Sequence, residues 1–227
     1  MSNNFDNDEL NSEERKLIEL GEDFIEAVKS GDRAEIAKFL KNKKLDVDVV
    51  DEDGKSALII AVENDDVELA KLLLEHGANV NFQEDNGVGN TPLICAAEQS
   101  YGDIEMMKLL LENDADVNFQ NKRGKTALMY AGAFFEPASL LLEHGADMNI
   151  KDNKGNTVLP YVARLGYAES LDLLLSDTSK FEVSDAKKAI LAARGNKEVQ
   201  NCIFDAIRKK LGKEPKEGFT PPRGAEM

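Results

Sequence analysis

Long apolar runs are missing from this 227-residue chain, and with them any helix of the about 20 consecutive apolar residues needed to span a membrane. Residues 1–9 also lack the basic and apolar stretches of a secretory signal. The expectation is therefore a cytoplasmic protein with no membrane partner, a periplasmic or secreted location staying open if a signal segment has been removed. Cysteine is equally scarce. Cys95 and Cys202 lie in separate apolar helical patterns, which predicts two buried free thiols in preference to a disulfide.

Positive charge is short where nucleic acid would need it. Residues 1–150 carry 14 Lys and Arg against 32 Asp and Glu, and residues 151–227 carry 14 against 11, so the net −15 divides into −18 followed by +3. Phosphate backbones are held largely by Lys and Arg displacing counterions, so nucleic acid is not the expected partner. Catalytic signatures are missing too: there is no phosphate loop, no nucleophile elbow and no pairing of Cys with His. The acidic run Asp51, Glu52 and Asp53 falls in a polar turn with no apolar wall to raise a pKa. No enzyme and no cofactor are expected.

What the chain has is repetition. Gly54-Lys55-Ser56-Ala57-Leu58 returns as Gly89-Asn90-Thr91-Pro92-Leu93, as Gly124-Lys125-Thr126-Ala127-Leu128 and as Gly155-Asn156-Thr157-Val158-Leu159. The glycines are 35, 35 and 31 residues apart. In the first unit Gly54 occupies a polar turn that needs positive φ, and Ser56 is placed to cap a helix. Ala57, Leu58, Ala61 and Val62 give that helix its apolar stripe, and Val67, Leu69, Ala70, Leu72, Leu73 and Leu74 give a second one. Gly77 suits the left-handed position beyond the second helix, where His76 meets the negative end of the helix dipole. His76 and His144 hold equivalent helix ends two units apart, about 20 Å at ~10 Å per packed helix layer, so neither is a metal ligand with the other. Asn81, Asn118 and Asn149 recur at one position of the unit, where side-chain bonds to turn backbone account for them.

One helix pair cannot bury its apolar face alone, so such units stack and are closed by more polar end units. Helices predicted over residues 17–30 and 34–40 supply one cap. Those over 185–193 and 198–211 supply the other, with Lys187, Lys188, Lys197, Lys209 and Lys210 on its solvated face. Residues 90–97 and the run Leu140-Leu141-Leu142-Glu143-His144-Gly145-Ala146-Asp147-Met148-Asn149 resemble the ankyrin-repeat family, and the resemblance extends roughly from Lys16 to Leu211.

The family resemblance implies an all-α solenoid of about six helix pairs, including caps, whose hairpin tips and first helices line a concave, protein-binding groove. The expected organisation is an acidic flexible start (1–15), a repeat domain (16–211) and a flexible tail containing Pro and Gly (212–227). Within the domain lie a cap (16–50), repeats at 51–83, 84–120, 121–151 and 152–182, and a second cap (183–211).

The sequence departs from the family pattern in its middle. Ile59, Ile94, Met129 and Pro160 stand where the family has a histidine that bonds between neighbouring repeats, so apolar contact is expected instead. The second unit has two extra residues near Gln99, projecting Tyr101. The third is two residues short near Phe134, which puts Phe135 at the core position of Val67, Phe134 in a turn and Pro137 in a first helical turn. Asp114 replaces a left-handed glycine at a cost of roughly 1 kcal/mol.

Placed on the family pattern, the partner-binding candidates are Glu52, Asp53, Lys55, Val88, Asn90, Tyr101, Lys122, Arg123, Lys125, Phe134, Lys154 and Arg164. They run from acidic to basic, with Val88, Tyr101, Phe134 and Leu165 as apolar anchors; a plain solvated face is the competing reading. The resulting expectation is a monomeric, non-enzymatic interaction module, an adaptor or an inhibitor, with one other protein as its partner. The alternative is a microbial immunity protein or secreted effector that occludes one dedicated enzyme.

Overall fold

Asn11 starts the first helix, α1 (Ser12–Ser30): its side chain accepts the Glu13 and Glu14 N–H groups, and the Glu14 carboxylate accepts the Asn11 N–H. This reciprocal cap lies inside the acidic start, which is why α1 begins at Ser12, ahead of the expected residue 17. The structure, a computed structural model, describes residues 11–99 and 104–212. Gly31, at φ 72°, ends α1, and Asp32 caps α2 (Arg33–Phe39).

The same helix-turn-helix unit then recurs. α3 (Ala57–Glu63) pairs with α4 (Val67–Glu75), α5 (Pro92–Gln99) with α6 (Glu105–Glu112), and α7 (Ala127–Ala131) with α8 (Phe135–Glu143). α9 (Val158–Leu165) pairs with α10 (Ala168–Leu175), and α11 (Val183–Ala192) with α12 (Lys197–Lys210). The result is all-α, with six helix pairs and no strand among the described residues.

Odd-numbered helices pack in succession, α1 on α3, then α5, α7, α9 and α11, and form an inner layer. Even-numbered helices lie outside them. The residue pattern explains the assignment. In α3 the six residues Ala57 to Val62 are all buried, and in α5 so are Pro92 to Ala97, the mark of a helix enclosed on every side. α4 buries only Leu69, Ala70 and Leu73 and turns its other face to water. Each fully buried leucine contributes about 1.5–3 kcal/mol.

Two devices join neighbouring units. Ile59, Ile94 and Met129 are buried where the family histidine would stand, as expected, while Pro160 is half-buried. The recurring asparagines add a hydrogen-bond ladder that reaches across units, further than the local turn bonds expected of them. Asn81 Oδ1 accepts the Asp116 N–H at 2.7 Å, and Asn118 Oδ1 accepts the Asp147 N–H at 2.8 Å. Asn118 Nδ2 donates to the Gly145 carbonyl and Asn149 Nδ2 to that of Lys180.

The middle is irregular in the way its length changes imply. α7 has five residues, and Gly132 closes its turn so tightly that a Cβ there would sit 2.6 Å from the Leu128 carbonyl and 2.7 Å from Val158 Cγ2. Pro137 lies buried in the first turn of α8. Phe135 corrects an expectation: it opens α8 as Val67 opens α4, yet it is 39% exposed, because the buried face of α8 starts two residues later at Pro137. Lys210 is a second correction. Its Nζ donates to the Thr178 carbonyl and lies 4.9 Å from the centre of the Phe181 ring, so it is no free member of the solvated face. The projecting Tyr101 falls outside the described residues.

Candidate functional site

The turns before α3, α7 and α9 are each built on a single side chain. Asp51 Oδ1 accepts the N–H groups of Asp53 and Lys55, Asn121 Oδ1 those of Arg123 and Lys125, and Asp152 Oδ1 those of Lys154 and Asn156. Gly54, Gly124 and Gly155 supply the positive φ that each turn needs. Successive tips are tied by backbone bonds: Asp85 N–H to the Gly54 carbonyl, Lys122 N–H to that of Val88, and Asn153 N–H to that of Arg123. The tips therefore form one continuous edge.

Behind this edge lie two clefts of opposite charge. The smaller, of about 320 Å³, is lined by Glu63, Glu84 and Glu98 together with Val88, Asn90, Cys95, Arg123 and Tyr130. The larger, of about 690 Å³, is lined by Arg123, Lys125, Lys154 and Arg164 with Asp152, Tyr161 and Pro160. Arg123 borders both. The seventh residue after each helix cap shows the same change of sign along the stack: Glu63, Glu98, Ala133 and Arg164.

In the larger cleft the aromatic floor is fixed. The Tyr161 hydroxyl donates to Asp152 Oδ2 at 2.5 Å, and Lys125 Nζ lies 4.7 Å from the Tyr161 ring centre and 4.9 Å from that of Tyr130. Arg164 Cζ is 5.7 Å from the Tyr161 ring centre. These separations are those of cation–π contacts. Burial, then the bond to Asp152 and its charge, push the Tyr161 phenol up to about 12. Burial also pushes Asp152 up, but bonds from Tyr161, Asn156 and Lys154 outweigh it and hold the carboxyl below its usual range. Burial, together with Arg123 and Arg164, holds the Lys125 ammonium below the usual lysine range against the pull of Asp152.

The predicted residues divide among several places. Arg123, Lys125, Lys154 and Arg164 meet in the larger cleft, and Val88 and Asn90 in the smaller. Asn90 is a correction to the exposed tip expected there. It is buried, its Oδ1 accepts from Asn121 Nδ2 at 2.8 Å, and its N–H donates to Glu84, so it braces one tip against the next. Glu52 and Asp53 are exposed on the first tip, whereas Lys55 is paired with Glu63 and Lys122 with Asp85.

Phe134 does not join the central groove. With Tyr167, 5.8 Å away between ring centres, it lines a separate cleft of about 350 Å³ formed by the turns between inner and outer helices. Tyr101 lies outside the described residues. Sequence reasoning missed Tyr130 and Tyr161, although the repeat register carried the signal. Both are the fourth residue after a threonine cap, the place held by Ile60 and Cys95 in earlier units.

A family model described as ankyrin repeats (3 copies) matches residues 24–121 and 99–185. Over 78 residues, or 34% of the chain, the sequence is 30% identical to protein phosphatase 1 regulatory subunit 27 of Mus musculus. It is 29% identical to the Homo sapiens protein of that name over the same length, and each match takes in 49% of the relative. A 43-residue stretch is 60% identical to the Homo sapiens 2-5A-dependent ribonuclease, covering 19% of this chain and 6% of that protein. The matched stretches thus span about half the length of the phosphatase subunits and a small fraction of the ribonuclease.

Proposed function

The chain belongs to the ankyrin-repeat family, and on that premise we propose that it is a non-enzymatic module, an adaptor or inhibitor, that holds a partner protein against its tips and inner helices. The observation that carries this reading is the pair of adjoining clefts of opposite sign that share Arg123 along one braced edge. Such a surface selects a partner by complementary charge, which governs encounter rate and orientation, and by a few central anchors. The likeness to a phosphatase regulatory subunit supports a protein partner.

The thiols favour binding over chemistry. Cys95 borders the smaller cleft, but burial and the charges of Glu84, Glu63 and Glu98 push its thiol up, away from the thiolate a nucleophile needs. Burial pushes Cys202 up to about 11. The mechanism is occlusion or tethering.

Capture from a lysate of the source organism tests the placement, with the wild type, Arg123→Glu and Phe134→Ala as baits. The partner retained by wild type should be lost with Arg123→Glu and kept with Phe134→Ala. Retention by a folded Arg123→Glu bait and loss with Phe134→Ala would move the site to the turn cleft.

A further inference from the structure

We propose that the larger cleft is an anion subsite that takes a carboxylate-rich segment of the partner, with Lys125 seated between Tyr130 and Tyr161 at its centre. The proposal rests on the protein-binding reading above and adds the chemistry and the direction of the bound segment.

Its first support is an imbalance of pairing. The chain has 43 acidic against 28 basic residues, so four cations gathered in one place run against its overall charge. Lys29 meets Asp51, Arg33 meets Asp66, Lys55 meets Glu63 and Lys122 meets Asp85. Arg123, Lys125, Lys154 and Arg164 gather in one cleft, and none forms an ion pair with a carboxylate among the described residues. Among the described residues Asp152 is the one acidic residue lining the cleft, and its oxygens are already committed. Oδ1 takes the Lys154 and Asn156 N–H groups, and Oδ2 takes the Tyr161 hydroxyl. Four clustered cations in a strongly acidic protein carry a cost in mutual repulsion that an incoming anion removes.

The second support is preorganisation. Asp152 locks the Tyr161 ring, and Lys125 and Arg164 rest on that ring, so the donors are held in place before a ligand arrives. The Lys125 ammonium is already partly desolvated and sits below its usual range, and a carboxylate beside it would push it back up. At about 690 Å³ the cleft has the size of an ordinary ligand site.

The neighbouring cleft decides which anion. Glu84 and Glu98 stand on the far side of Arg123, next to the Lys55–Glu63 pair, so a polyanion running along the groove, such as a nucleic acid strand, meets like charge within one repeat. A protein segment whose acidic residues are followed by basic ones satisfies both clefts and can lie in one direction only.

Fluorescence anisotropy tests this with the full chain and a labelled, end-blocked peptide of four glutamates followed by four lysines. The probe should bind, and an alternating glutamate-lysine peptide of the same composition should bind about tenfold more weakly or worse. Lys125→Gln combined with Arg164→Gln, with thermal unfolding confirming the fold, should cut affinity for the block peptide about tenfold. Lys108→Gln, on the outer helix α6, should leave it unchanged. Equal affinity for both peptides, full binding by the double variant, or no binding up to about 1 mM would overturn the subsite. So would tripolyphosphate binding through the same cations while the block peptide fails, which assigns the cleft to a phosphorylated ligand. If the peptide fails while Arg123→Glu still abolishes partner capture, the anion subsite falls and the protein-binding reading stands; if both fail, both fall.

Discussion

At the scale of residues, similar turns differ in what they tolerate. Gly124 has φ +74°, and a Cβ on it would lie 2.6 Å from Asn153 Oδ1 and 2.8 Å from the Asn153 backbone nitrogen. Gly145, at φ +86°, faces open space. Gly145→Ala should therefore cost about 1 kcal/mol from conformation alone, and Gly124→Ala roughly twice that or more, because a tip must also move. Urea unfolding of the two variants measures the difference, and equal losses would contradict the close approach. Asp114, at φ 65°, is the converse case. Asp114→Gly relieves strain while keeping the carbonyl that Asn81 Nδ2 reaches, and should raise stability by about 0.5–1 kcal/mol. The sequence made most of these backbone needs visible because left-handed positions here are mainly glycine, with Asp65, Asp114 and Arg194 the exceptions among the described residues. It did not show that Asn90 is buried, since an asparagine in a polar turn reads the same whether it faces water or a neighbouring tip.

At the scale of elements, the ladder of asparagines joins each repeat to the next through side chains that lie about 30 residues from their partners. Asn118 makes two bonds to the third repeat, so Asn118→Ala should cost about 1–2 kcal/mol in denaturant unfolding. A loss below about 0.3 kcal/mol would mean water replaces the ladder freely. On α8 the ordering of two apolar residues is also open to test. Leu141, fully buried, should lose about 2–5 kcal/mol on Leu141→Ala, and Phe135→Ala should lose under about 1 kcal/mol. Helix pairs, caps and their order were legible because apolar periodicity and turn glycines repeat in phase. The fate of Phe134 and Phe135 was not. A two-residue deletion shifts the turn as a whole, and only the packing of α8 against its neighbours decides which ring meets Tyr167 and which overhangs the core.

At the scale of the whole molecule, charge acts on stability and on recognition. Partial burial raises the Asp51, Asp66 and Asp152 carboxyls, but N–H and hydroxyl bonds outweigh it in all three, joined by Lys29 at Asp51 and Arg33 at Asp66, so each ends below its ordinary range. A carboxyl depressed in the folded state contributes stability above its unfolded value near pH 4 and loses it as pH falls through the lowered value. Asp48, raised by burial, works in the opposite sense. Lys122 beside Asp85 and the Ser179 bonds to Asp177 hold those two carboxyls low as well, so among the described residues five groups stand against one; the melting temperature should drop as pH falls from about 4 towards 2, and a flat profile there would contradict these assignments. The polarity of the stack was legible in the uneven spread of Lys and Arg. Its resolution into two clefts was not, because that depends on which cations are already paired.

The central claim is that a partner lies along the tips and inner helices. Hydrogen–deuterium exchange of the chain with and without its captured partner tests it most directly. The account predicts added protection over residues 84–90, 121–125 and 152–165, and unchanged exchange in the outer helices α4, α6 and α8. Protection confined to those outer helices, with the tips exchanging as in the free protein, would contradict it.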